Sequence, residues 1–198
     1  MGRPRRHSDE AMLDAALAVL NRVGPNRFTL SSAADEIGMT RPALIQRFGR
    51  REDLIRALST RQVALTRTWL DQMPVERSEP GLRSCLAAMV TAISTGEGFA
   101  AHIALAALES EDPALAAMAR DRFALLRNAI SARVPRGLRL RPREAAALLH
   151  AVIAGAILQW ATERGRSLSG HVQARVDQTL LILLSSDPAH PTAEVRSP

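Results

Sequence analysis

Apolar residues recur at three- and four-residue spacing along nearly the whole chain, and no segment alternates as a strand would. The sequence has no tyrosine, few β-branched runs and no Asn-Gly or Asp-Gly turn between alternating segments. It is therefore expected to fold as an all-α protein. Ser8, followed by Asp9 and Glu10, suits the start of a helix over about 9–23, with Leu13, Ala16, Leu17 and Leu20 on one face. Gly24-Pro25-Asn26 stops it, and Phe28 and Leu30 read as buried anchors. A second short helix, about 30–37, takes Thr29 or Ser31 as cap and ends at Gly38, which suits a left-handed C-cap. Thr40 caps a third, about 41–48, with Pro42 in its first turn, where no N–H is needed. A fourth helix starts near Arg51 and ends before Pro74. Residues 74–80 read as a loop, and further helices are predicted over about 81–95, 98–110, 113–134, 142–164 and 169–185. The end of the chain, 187–198, reads as a frayed tail.

All 26 basic residues are arginine, which a GC-rich genome explains, so arginine count alone carries little. Placement carries more. Up to Arg51 there are nine arginines against five acids, a net +4, whereas the remaining residues of the +6 chain supply only +2. Positive charge thus gathers at the N-terminal end, as binding to phosphates requires. There the second and third short helices, joined at Gly38-Met39-Thr40, form a helix-turn-helix pattern. The third helix fits a DNA major groove and carries Arg41, Gln46 and Arg47, which can reach base edges. The arm Arg3-Pro4-Arg5-Arg6 is read either as a minor-groove contact or as unstructured.

The stretch 28–55, FTLSSAADEIGMTRPALIQRFGRREDLI, resembles the DNA-binding motif of the TetR (tetracycline repressor) family. The marks are Ile37-Gly38, Thr40, Leu44, Phe48 and Arg51-Glu52 followed by Asp53-Leu54-Ile55, with Ala15-Ala16 and Gly24 before them. The likeness is detailed over residues 9–58. It implies that Ser31, Arg41, Pro42 and Ala43 lie nearest the bases and Thr29, Gln46 and Arg51 nearest the phosphates, with Thr40 at the same surface. Ile45 stands where the family usually has an aromatic residue, often a phosphate-contacting Tyr; Arg47 and Arg50 supply charge nearby.

The resemblance divides the chain into a DNA-binding domain over 1–51 and a helical ligand-binding and dimerisation domain over 52–186. Within the latter, Leu65, Trp69, Met89, Ile93, Phe99, His102, Leu105, Met118 and Phe123 recur at helical spacing and are expected to line an effector pocket. Methionines fit irregular gaps, and His102 puts one polar group in an apolar helix. The effector is expected to be small and largely hydrophobic. The last two helices are apolar over a wide stripe. Ile153, Ile157, Trp160, Val176, Leu180, Leu181 and Leu184 are expected to form a homodimer interface. The implied function is a repressor that binds a palindromic double-stranded DNA operator as a homodimer and is released by its effector. Activation is the alternative sign of control.

Other chemistries find little support. Five histidines show no metal-ligand spacing, and no Walker loop, Rossmann fingerprint or nucleophile elbow is present. Neither metal nor cofactor is expected, and neither is catalysis, since a helical enzyme would need a catalytic pair in the body. A helical protein-binding adaptor would lack specific, salt-sensitive DNA binding. Glu109, Glu111 and Asp112 read as a solvated helix end, and Arg133, Arg136, Arg139, Arg141 and Arg143 as a solvated connection. The only cysteine, Cys85, lies in an apolar helix and reads as buried and inert. With no disulfide possible, no signal peptide and no long uninterrupted apolar run, a cytoplasmic location without a membrane span is expected.

Overall fold

The computed structural model describes residues 8–94, 99–138, 140–163 and 167–184, the side chains of 93–94 and 99–102 excepted. Among these residues every regular element is a helix. α1 (Asp9–Val23), α2 (Leu30–Ile37), α3 (Arg41–Phe48) and α4 (Arg51–Asp71) are followed by α5 (Glu79–Ser94), α6 (Phe99–Glu111), α7 (Pro113–Arg133), α8 (Pro142–Glu163) and α9 (Leu168–Leu184). The expected tail, 187–198, lies outside the described residues.

Local chemistry sets the helix ends. Ser8 Oγ accepts the Ala11 N–H at 3.2 Å, and Thr29 and Ser32 form a reciprocal capping box at the start of α2. Thr40 Oγ1 accepts the Ala43 N–H. Gly38 takes the left-handed conformation, φ 75°, in the turn from α2 to α3. Gly49, φ 82°, has a second reason to be glycine: a Cβ there would come within 2.7 Å of Asp53 Oδ2. That carboxylate accepts the Arg50 N–H at 3.0 Å and starts α4. α5 begins at Glu79, inside the segment expected to be loop, because Ser78 Oγ accepts the Gly81 N–H and Pro80 tolerates a first helical turn.

The buried side chains form two clusters. One holds Leu17, Leu20, Phe28, Leu44, Leu54, Ile55 and Leu58, where full burial of each large side chain contributes about 1.5–3 kcal/mol. The first two turns of α4 belong to it, so this core extends past residue 51. The corner between α6 and α7 also enters it, through Leu108, Leu115 and Met118. The second cluster joins α5, the far end of α7, α8 and α9 around Leu86, Ile130, Leu149, Ile153 and Val176. α8 is long and apolar enough to cross a membrane by composition, with mean hydropathy 1.6; a third of that stretch is buried, where the helix packs against α7 and α9.

Candidate functional site

Leu44, wholly buried, anchors α3 and turns its opposite side outward. Arg41, Pro42, Ile45, Gln46 and Arg47 are exposed there, Ala43 half-buried, and Ser31 is exposed on α2. Three acids of the module are drawn into ion pairs: Asp9 with Arg47, Asp14 with Arg61 and Glu36 with Arg22. Arg61 binds Asp14 through two bonds of 2.7 and 2.8 Å, tying α4 to α1. That hydrogen bond holds the Asp14 carboxyl below its usual value. Its contribution to stability is complete above pH 3.8 and is lost as pH falls through the lower folded value. With these acids engaged, Arg41 and Arg50 project positive charge from the motif's outer side.

Four of the residues expected at the DNA have partners within the protein. Arg51 donates from Nε to the Phe28 carbonyl at 2.9 Å and from Nη2 to the Pro25 carbonyl, so it clamps the turn between α1 and α2. Arg47 pairs with Asp9 across the start of α1. Thr29 and Thr40 use their hydroxyls as helix caps.

The residues expected to line the effector pocket do not come together as one set. Ile93, Phe99 and His102 have side chains outside the described residues. Leu65 is exposed, and Met118 packs into the N-terminal cluster, within reach of the Thr60 hydroxyl. Trp69 and Met89 belong to the other cluster, Leu105 is buried, and Phe123 meets the His150 ring at 5.0 Å. A half-open cleft of about 560 Å³ lies between the ends of α4 and α7 and the start of α5. Of the expected residues, Trp69 lines it.

Sequence reasoning missed three buried charges. Glu109 is not solvated but pairs with Arg122 through two bonds of 3.0 Å, and both side chains are buried. Arg133, expected on the surface, is also buried. Arg122 pairs 13 positions back and Arg133 reaches a loop 59 positions back, so neither pairing leaves a local signature.

Residues 12–58 match the model for bacterial regulatory proteins of the tetR family. The N-terminal domain belongs to the TetR family. A search of curated proteins gives no match. Solved structures resemble the chain over nearly its whole length. SmeT, the repressor of the Stenotrophomonas maltophilia multidrug efflux pump SmeDEF, is 22% identical with a TM-score of 0.63, covering 98% of each chain. A transcriptional regulator from Rhodococcus sp. Rha1 is 19% identical, TM-score 0.69, covering 91% of this chain and 100% of its own. Thermus thermophilus FadR, a TetR-family repressor in complex with lauroyl-CoA, is 17% identical, TM-score 0.57, covering 91% and 97%. At these identities the likeness shows the fold: a helix-turn-helix domain followed by a helical body.

In the body behind the TetR-family domain, α8 and α9 correct the expected dimer face. Ile153, Ile157, Val176 and Leu180 are buried in the protomer's own core, with Trp160 and Leu184 packed against them. α8 is apolar on nearly all sides from Ala145 to Ile157, which hides which side faces inward. Leu181 is exposed as expected, and Leu148, Leu158 and Ile182 are exposed with it. Small residues Ala147, Ala151, Ala154 and Gly155 share the exposed side of α8.

His150 on α8 is held below its usual imidazole value, first by burial and then by the charges of Arg127 and Arg122. Its neutral form therefore suits the fold. Stability is unaffected well above pH 6.5 and falls as pH drops from there through the lower folded value. His150→Phe keeps a ring against Phe123 and removes that acid sensitivity. Between about pH 8 and pH 5 its melting temperature should fall at least about 2 °C less than that of the wild type. Parallel melting curves for the two proteins would show that His150 carries no linkage.

Proposed function

We propose that this chain is a ligand-responsive transcription regulator: a repressor that binds a palindromic operator as a homodimer and is released by a small hydrophobic effector. The observation that carries the reading is the outward face of α3, where Arg41 and Gln46 are exposed while Asp9, Asp14 and Glu36 are neutralised by ion pairs within the protein. A short helix with that face fits a major groove. The exposed apolar residues on α8 and α9 suit a second copy, since patches of this kind mark interfaces. The likeness to SmeT, known also in complex with triclosan, and to FadR with lauroyl-CoA supports an apolar effector.

The fold supplies a coupling route. The corner between α6 and α7 sits in the N-terminal core, and Asp112 there caps α7 while accepting a bond of 2.9 Å from Arg56 of α4. An effector that favours a different placement of α6 or α7 shifts α4 and α1 with it, and with them the spacing of the two α3 helices. It acts only as far as it binds that state better.

Selection of bound duplexes from random DNA tests the reading directly; a palindromic consensus is the expected result, and recovery of no enriched sequence would refute it. On that consensus Arg41→Ala should lose about 1–3 kcal/mol and relax preference at one position. Arg50→Ala should weaken binding to all sequences alike and lower the salt slope by about 0.9. An unchanged sequence preference in Arg41→Ala would remove it as a base reader.

A further inference from the structure

Arg133, at the end of α7, is 2% exposed, yet no carboxylate among the described residues pairs with it. Its guanidinium is oriented by main-chain oxygens instead: Nε donates to Pro74 at 2.9 Å, Nη2 to Met73 at 3.0 Å and Nη1 to Ala129 at 2.7 Å. Three neutral acceptors, one of them a carbonyl in the last turn of α7, hold the group still but supply no formal counter-charge, and a guanidinium has five N–H bonds, so two remain. A buried charge without a counter-charge is costly unless something pairs with it. Arg133 is also a wall of the cleft of about 560 Å³. The rest of that wall is mostly apolar, with Trp69, Met73 and Ala88, and Ser84 beside them. The buried thiol of Cys85, another wall residue, has its pKa raised by burial and opposed by the Arg133 charge, so the charge is felt inside the cleft. Glu76 and Gln72 also line the cleft, and the Glu76 carboxylate accepts the Ser78 hydroxyl at 2.7 Å.

We propose that this cleft is a binding site for a small amphipathic carboxylate, its acid group paired with Arg133 and its apolar part against Trp69 and Met73. The preorganised guanidinium offers a charge-assisted pair, and a mostly apolar cleft with one convergent charge is the usual form of a small-molecule site. Ala88 is where added bulk would close the space. The site does not depend on whether the chain binds DNA.

Trp69 and Trp160 are the two tryptophans, so a Trp160→Phe protein reports on the cleft through Trp69. In that background, 4-phenylbutanoate and 4-phenylbutanol are titrated separately while Trp69 fluorescence is read. The carboxylate is expected to bind at least about tenfold more tightly, which is about 1.4 kcal/mol, and to weaken as salt rises. Arg133→Met should abolish the preference for the carboxylate. Because that change also frees the carbonyls of Met73 and Pro74, Ala88→Leu serves as a second variant; it leaves Arg133 in place and should weaken both probes. Equal binding of acid and alcohol, no binding of either, or carboxylate binding unchanged in Ala88→Leu would each overturn the proposal and leave Arg133 as a clamp on the loop after α4.

Discussion

Glu109→Ala should destabilise the body by about 3–5 kcal/mol, because it leaves the Arg122 guanidinium buried without its carboxylate. The pair is built for retention: two parallel bonds of 3.0 Å, Gln62 of α4 accepting at 3.4 Å, and the Phe123 ring 5.3 Å from the guanidinium carbon. In a chain of this size that loss lowers the melting temperature by roughly 6–20 °C. The double variant Glu109→Leu with Arg122→Met keeps both volumes and removes both charges. It should recover most of the loss, since replacing a buried pair by apolar groups is often neutral or stabilising. Denaturation of the three proteins at one concentration measures this, so that any association acts on all alike. A Glu109→Ala protein within about 1 kcal/mol of wild type would show that water reaches Arg122 and that the pair adds little.

The second large effect is expected on assembly. Leu158 is 57% exposed on α8 and Ile182 is 75% exposed on α9. If these faces meet a second copy, Leu158→Arg or Ile182→Arg places two like charges across the two-fold axis, because an isologous interface repeats every substitution. A buried unpaired charge costs several kcal/mol, enough to split a dimer at micromolar concentration. Each protomer would remain folded, since neither side chain belongs to its core. Operator affinity should fall with the dimer, as each half then binds its half-site without linkage. Sedimentation for mass and titration with operator DNA on the same samples test both statements. A wild-type protein that sediments as a monomer would end the dimer reading, and dimers persisting in both variants would move the interface elsewhere. Ile157→Arg is no substitute, because Ile157 is buried in its own protomer and its loss would unfold the body.

The helices and the recognition module were legible in the sequence because their determinants are local. Ser8, Thr29 and Thr40 bind N–H groups three residues away, Gly38 needs only its own backbone freedom, and Leu44 is set inward by helical spacing. Such signals survive in a string of letters. Which arginines face outward was decided by tertiary structure alone. Arg51 reaches a carbonyl 26 positions back, Arg47 an acid 38 positions back, and Arg133 the loop 59 positions back. In sequence each looks like any surface arginine. The same holds for α8 and the last turn of α9, where residues apolar on every side show that the helix is packed but not which side meets the protein's own core. Periodicity fixes a face only when a polar face opposes it; where none does, only the neighbours that fold back onto the helix choose between Ile157 inside and Leu158 outside.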